Sequence, residues 1–508
     1  MEISKQKTVI PALVKTFETS CELGVDCEFT LPDYYPEVSR ILKVLNCVNI
    51  SSSNCCDKMI TVSGQVVLTL LYAAPDGSIN SFTHYSPFVK KIDIKNDIEG
   101  VVSVKAVINY LNSKAVAPRK LEAHGSLALN ISILSVNENS VLSEYECDGV
   151  YVKTQKERMI IPLTPVTKSV FVDDEITVGD KNPTIGKILR SNVFAVITEC
   201  KYVSGKAVIK GELRIEILYY PADNSKPILL SENRGFSQII DCDLVGDTID
   251  FDVSPRIESF ELRPKTSLDG EVRTVTFDAK IGLDIFTYCY KEFDYISDAF
   301  STDYCTEIEN STVTFERSFE CVNENVLYDK SFDFAGVLED VYDVWCGNVS
   351  NQCIVEDDKF CIKGSVPIFV LGYDQSNEPV FFEKSLEFEY EHKLSNAIKE
   401  SRYNDLIGVN AVNFSIGSDG KLKIAVEVNI KTDIFELNSK NAIVSISVDC
   451  DKKTIKDETS AVILYYADGE TPWNIAQAYC VSPDAICDVN KFESFDQKCY
   501  GVLLIPNV

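Results

Sequence analysis

Three glycines, Gly64, Gly211 and Gly364, sit in near-copies of one apolar run, and their spacing constrains the fold more than any other feature of the chain. The first run reads Val62-Ser63-Gly64-Gln65-Val66-Val67-Leu68-Thr69-Leu70-Leu71-Tyr72; the second reads Ile209-Lys210-Gly211-Glu212-Leu213-Arg214-Ile215-Glu216-Ile217-Leu218-Tyr219. The third reads Ile362-Lys363-Gly364-Ser365-Val366-Pro367-Ile368-Phe369-Val370-Leu371-Gly372. The glycines lie 147 and then 153 residues apart. A second anchor keeps the same register: Asp33, Asp180 and Asp333 precede each glycine by 31 residues, with Pro36, Pro183 and Gly336 close behind them, then Ile41, Ile188 and Val341. Two anchors in phase across three copies define an internal repeat, so the chain is built from one unit used three times.

Each copy is expected to be β-rich. The runs after the glycines alternate apolar and polar residues, as Leu213, Ile215 and Ile217 do with Arg214, Glu216 and Leu218, which is the pattern of a half-buried strand. Turn residues then close a hairpin, Pro75-Asp76-Gly77-Ser78, Ala222-Asp223-Asn224-Ser225 and Asp374-Gln375-Ser376-Asn377. Strands are expected at the entry (Thr8 to Phe29, Val150 to Thr177) and at the exit (Leu121 to Leu134, Arg273 to Phe286, Lys421 to Phe435, the last after the turn Gly417-Ser418-Asp419-Gly420). The Asp/Pro-marked stretch, such as Pro36 to Val44, reads as a short helix with the aspartate as N-cap. Pro367 suits only an edge strand or a bulge.

The last residues follow a different grammar. A β-rich run, Val462-Ile463-Leu464-Tyr465-Tyr466, leads into Ala467-Asp468-Gly469-Glu470-Thr471-Pro472-Trp473-Asn474-Ile475-Ala476, and the chain closes on Val502-Leu503-Leu504-Ile505-Pro506. Thr471-Pro472 and Ser482-Pro483 each place a hydroxyl at N-cap and a proline at N1, which predicts two short helices. Ile475, Ala476 and Tyr479 share a face, and Trp473 is read as core rather than as a ligand shelf. The expected fold is therefore mainly β: three serial β-rich modules with short helices at 1–149, 150–305 and 306–455, and a β-α-α-β unit at 461–508.

Charge and cysteine content bound the function. A net charge of -28 argues against nucleic acid or an anionic membrane as partner, because phosphate binding needs clustered Lys and Arg. The beginning Met1-Glu2-Ile3-Ser4-Lys5 lacks the apolar core of a secretory signal, and runs such as Val66 to Ala74 are too short to span a bilayer, so folding in the cytoplasm is expected. Eighteen cysteines accompany only three histidines and no Cys-x-x-Cys, so no metal or cofactor is expected. The thiols read as reduced and mostly buried, or, in a sharper reading, as partly exposed cross-linkers with adjacent Cys55 and Cys56 as candidates. No nucleophile motif, phosphate loop or His-Glu-x-x-His is present, and acid pairs such as Asp173-Asp174 are expected by chance among 77 acids. No catalytic residue is assigned.

The repeats resemble the SPOCS domain of spore-coat-associated proteins, on Leu31-Pro32-Asp33, Pro36, Ile41-Leu42, the Gly64 strand through Leu71-Tyr72, and their counterparts from Asp180 to Leu189 and Ile209 to Tyr220; the third copy is divergent. The tail resembles the LysM domain on Gly469, Thr471, Ile475, Ala476, Val481, Ser482, Asn490, Ile505 and Pro506, with Glu470 and Pro472 replacing the usual Asp and Leu. This resemblance implies a groove for N-acetylglucosamine polymers lined by Gly469, Glu470, Thr471 and Pro472 on one side and Asn490, Lys491 and Phe492 on the other, or the same groove turned into a protein-docking face. Together the resemblances imply a non-enzymatic structural adaptor of spore coat assembly, made in the mother-cell cytoplasm and placed at the forespore surface or coat. Its repeats would bind coat proteins, or self-associate through exposed strand edges, and its tail would grip a partner protein or peptidoglycan. The rivals are a peptidoglycan-binding protein of wall remodelling and a wall hydrolase.

Overall fold

A computed structural model describes residues 4–162, 166–203, 205–223, 226–241, 249–334, 337–417, 419–454 and 461–506. Gly336, Asn224, Ser225 and Ser418, each part of a sequence signal above, lie outside the described residues.

Each repeat is a pair of antiparallel sheets facing each other across an apolar core. In the first, β1 (Ser4–Thr30), β6 (Lys120–Glu146) and β5 (Val101–Ala117) form one sheet in the order β1-β6-β5, and β2 (Arg40–Cys56), β3 (Met59–Ala73) and β4 (Ile79–Asp93) form the other. In the second, β13 (Val272–Ser301) pairs with β12 (Ile249–Thr266), β7 (Val150–Pro162) and β8 (Val166–Thr177), facing the sheet β11-β10-β9 built from β9 (Ile185–Val203), β10 (Lys206–Pro221) and β11 (Ile228–Asp241). In the third, β14 (Tyr304–Phe332), β20 (Leu422–Lys453) and β19 (Ser401–Ile416) face a sheet in which β17 (Lys359–Tyr373) pairs with β15 (Asp340–Cys346), β16 (Ser350–Glu356) and β18 (Pro379–Lys393). The alternation read from the sequence holds: Leu213, Ile215 and Ile217 are buried in the second core.

The repeat glycines have a steric cause. Gly64, Gly211 and Gly364 stand opposite Phe88, Phe236 and Phe388 on the neighbouring strand. The aromatic ring lies over the glycine, so that a Cβ at Gly211 would come within 2.4 Å of Phe236 and 2.6 Å of the Val196 carbonyl. The second anchor serves a tyrosine. The Tyr72 hydroxyl donates to the Pro36 carbonyl at 2.9 Å, the Tyr219 hydroxyl to the Pro183 carbonyl at 3.1 Å, and burial pushes the Tyr72 hydroxyl pKa up to about 12.

Two expectations are corrected. The Pro36–Val44 stretch is not helical: residues 31–39 turn, with the Tyr35 N–H donating to the Pro32 carbonyl at 2.9 Å, and β2 begins at Arg40. Pro32 and Pro36 bias the residues before them away from helix, and Ile41 and Val44 favour strand. Asp33 and Asp180 therefore sit in turns and are not helix caps, while Asp333 follows the end of β14; the described parts of the repeats contain no helix. Pro367, in turn, lies in a central strand. Its carbonyl accepts from the Gly347 N–H at 2.9 Å, and it falls between the last residue paired to β15, Ile368, and the first paired to β16, Ser365. The missing N–H of proline faces a break in the neighbouring strand, which the first two repeats have as the single strands β2 and β9.

The repeats are not strung out in series; they close around an axis. The last strand of each outer sheet meets the first strand of the next repeat's: β4 meets β9, β11 meets β15, and β18 returns to β2. Leu71, Leu218 and Leu371, one from each copy at matching positions, are buried together there with Ile79, Leu189, Tyr342 and Trp345. Burying each leucine contributes about 2 kcal/mol relative to exposure.

At the other end, the exit strands run well past the limits expected from the sequence. The ribbons β1/β6, β7/β13 and β14/β20 converge on a shared core containing Ile10, Val141, Met159, Phe293, Tyr295, Val313, Phe315 and Ala442. Bulges between Lys15 and Phe17 in β1 and between Glu316 and Ser318 in β14 mark where strands leave their sandwiches for this hub.

Candidate functional site

The tail runs β21 (Val462–Asp468), α1 (Pro472–Tyr479), α2 (Pro483–Asn490) and β22 (Tyr500–Pro506), with β21 and β22 antiparallel. The cap chemistry places both helices: the Thr471 hydroxyl accepts from the Asn474 N–H at 3.3 Å, and the Ser482 hydroxyl from the Ala485 N–H at 3.4 Å, each with proline at the first helical position. Ile475, Ala476, Val481, Ile486 and Ile505 fill the core between helices and sheet.

Most of the expected groove residues carry structural duties. Asn490 clasps β22, its Nδ2 donating to the Leu504 carbonyl at 2.7 Å and its Oδ1 accepting from the Leu504 N–H at 2.8 Å. Glu470 accepts from the Asp468 N–H at 2.7 Å and from the Tyr465 hydroxyl at 3.0 Å; the backbone donors foremost, then the tyrosine, hold its carboxyl below the usual carboxylate range. Pro472 is buried, Phe492 packs half-buried on the tail core, and Lys491 closes α2 in the left-handed conformation with φ 60°. Gly469, at φ 100°, pairs its N–H with the Cys499 carbonyl. The two halves of the expected groove thus attach at Cys499, just before β22, and at Leu504 within it, about 16 Å apart along an extended chain.

Trp473 is buried, and its partners come from the second repeat. Its Nε1 donates to Asp298 Oδ2 at 2.8 Å, and its ring meets Phe300 edge-on at 5.1 Å between centroids. Gln477 Nε2 donates to Asp298 Oδ1 at 3.4 Å, and Lys153 pairs with Asp496. Asp298, Phe300 and Lys153 lie in β13 and β7, so the tail is seated on the second ribbon. No local signal in the sequence marks them, because their role depends on a contact with a segment about 175 residues away.

Opposite the helices, the outer face of the tail sheet is apolar and open. Leu464, Tyr466, Tyr500 and Val502 are each about 70% exposed, and Val462 and Leu504 extend the patch. Soluble monomers rarely present so many contiguous large apolar side chains unless they contact something. In the sequence the signal is the unbroken apolar run Val462-Ile463-Leu464-Tyr465-Tyr466, where a strand with one solvated face would alternate with polar residues.

Of the two cross-linking candidates, Cys56 is exposed at the end of β2, whereas Cys55 turns partly inward against the first core. Among the described residues, no group of three or more His, Cys, Asp or Glu is placed to hold a metal ion, and no helix is long and apolar enough to cross a membrane.

With this architecture, the class is a closed set of three β-sandwich repeats carrying a small α/β tail. The family model described as SipL, SPOCS domain matches residues 37–116 and 184–265. These two segments cover equivalent elements, β2 to β5 in the first repeat and β9 to β12 in the second, and they begin at the same interval that separates Gly64 from Gly211. No curated protein and no solved structure matches the chain.

Proposed function

We propose that this protein acts in sporulation as a non-enzymatic adaptor of spore coat assembly, its repeats binding coat proteins and its tail gripping a further protein partner. The observation that carries this reading is the match of the SipL, SPOCS domain model to two segments in register with the internal repeat. A closed set of three β-sandwiches offers several strand edges on one chain, which suits the avidity needed on a crowded surface. Protein docking is favoured over glycan binding at the tail because Thr471 and Asn490 are engaged in capping and strand contacts, while the exposed sheet face is apolar. The alternative, a peptidoglycan or N-acetylglucosamine-polymer ligand, draws on the LysM resemblance of the tail.

The role is tested by following a fluorescent fusion of the full chain through sporulation. Signal lining the forespore is expected; signal that stays diffuse throughout sinks the coat assignment. Leu464→Asp, on the exposed face of the tail, is expected to weaken that localisation without altering the unfolding midpoint. Retention of the purified protein on peptidoglycan at moderate salt, unaffected by Leu464→Asp, would move the tail to the glycan reading.

A further inference from the structure

A cleft of about 600 Å³ opens between the second and third repeats, within the range of ligand sites. Its lining includes every residue of 193–200 in β9 and of 406–410 in β19. A strand that shows alternate residues to a cavity presents a face, whereas a strand that shows consecutive residues presents its backbone edge. Both strands are terminal in their sheets, in the orders β11-β10-β9 and β14-β20-β19, so each carries a row of backbone groups on the side away from its partner. The floor comes from the outer face of the third repeat's sheet. There Asn325 Oδ1 accepts from Asn410 Nδ2 at 3.0 Å and from Asn429 Nδ2 at 2.8 Å.

With both acceptor positions of Asn325 filled, its own amide N–H₂ has no hydrogen bond among the described residues, and nor do the side-chain carbonyls of Asn410 and Asn429. The charges at the cleft already have contacts: Glu199 pairs with Lys201 and Lys210, and the Lys431 ammonium donates to the Val253 carbonyl at 2.7 Å. The lining therefore offers strand edges and neutral amides to an uncharged ligand.

We propose that this cleft binds an extended, uncharged polypeptide segment of a partner protein, which adds as a strand to the edge of β9 at residues 193–199 while the asparagine floor bonds its backbone amides. Seven residues of edge, 193–199, provide a track about 23 Å long. The site deepens the reading of the repeats as partner-binding units, yet it is tested by binding in solution and the role by localisation, so either can fail alone.

The test screens the full chain against an array of octapeptides that alternate apolar with uncharged polar residues, and follows backbone hydrogen exchange with the strongest binder. A side chain can plug the cleft at Gly408, where an added Cβ meets no atom within 4 Å. Binding is expected to fall about tenfold or more in Gly408→Trp and to persist in Gly408→Ala. Slowed exchange is expected within 193–199 and not in the tail. Should Gly408→Trp lower the unfolding midpoint, Asn325→Ala, which removes the centre of the amide floor, carries the same expectation. The proposal is overturned if no octapeptide binds, if binding survives both Gly408→Trp and Asn325→Ala, or if protection maps elsewhere. It is equally overturned if an N-acetylglucosamine tetramer protects 193–199 where peptides do not, or if the occupant proves to be a second copy, shown by self-association that Gly408→Trp abolishes.

Discussion

Lys43, Arg190 and Asp343 occupy the same position in the three repeats, separated by the same 147 and 153 residues as the glycines, but their surroundings differ sharply. Where the third repeat returns to the first, Lys43 pairs with a half-exposed Glu383 near solvent. Where the second meets the third, Arg190 Nε donates to Asp343 Oδ2 at 2.7 Å with both side chains at most 8% exposed; its Nη2 lies 3.3 Å from Glu216, and its guanidinium lies over the Trp345 ring. Where the first meets the second, neutral partners serve: Lys187 donates to the Asn80 side chain and the Ser81 hydroxyl to the Ile188 carbonyl. Three similar units could close in more than one arrangement. Dissimilar junctions assign each its neighbour, a use of buried charge suited to specificity more than to stability.

The largest expected effect breaks the buried pair. Arg190→Met leaves the carboxylate of Asp343 buried without its partner and should cost about 3–5 kcal/mol in denaturant unfolding, whereas Lys43→Met should stay within about 1 kcal/mol. The double variant Arg190→Met, Asp343→Leu should recover most of the loss; equal effects at the two junctions would erase the contrast. Next is Gly211→Ala, whose Cβ would meet Phe236 and the Val196 carbonyl, expected to lower stability by about 1–3 kcal/mol, against little change for Gly408→Ala, where the added group meets open space.

The smallest is a pH effect. Burial, against the pull of Arg190 and with the push of Asp343, lifts the Glu216 carboxyl above its ordinary range. The folded state thus holds this proton more tightly than the unfolded state. Its contribution to stability is full below the unfolded value of about 4.3 and is lost as pH rises through the folded value. In Glu216→Gln, unfolding midpoints should fall less over that window than in the parent chain; identical profiles would remove Glu216 from the account.

What the sequence made legible was local or periodic. The Gly64, Gly211 and Gly364 runs, the hairpin turns at Pro75–Ser78 and Asp374–Asn377 and the Thr471 and Ser482 caps all depend on neighbours within one or two strands, and these appear as expected. The turn around Asp33 departs from the expected helix because Asp beside Pro signals helix caps and turns alike; the prolines and the β-branched Ile41 and Val44 decide for strand. Closure of the repeats and the seating of Trp473 on Asp298 and Phe300 stayed hidden, since both rest on contacts between residues more than a hundred positions apart. At the candidate site, the cap role of Thr471 was legible, whereas Asn490 was legible as a residue but not as a structural tie, because its partner Leu504 is set by the folded tail.

Closure is also the claim most directly measured. Zero-length carbodiimide coupling of the monomeric full chain joins amines to carboxylates already in contact, and Lys226 with Asp340 spans the second and third repeats while Lys43 with Glu383 spans the first and third. Peptide mapping is expected to recover both links from the monomer. Recovery of the Lys226–Asp340 link without the Lys43–Glu383 link would describe a string of repeats and contradict the closed arrangement.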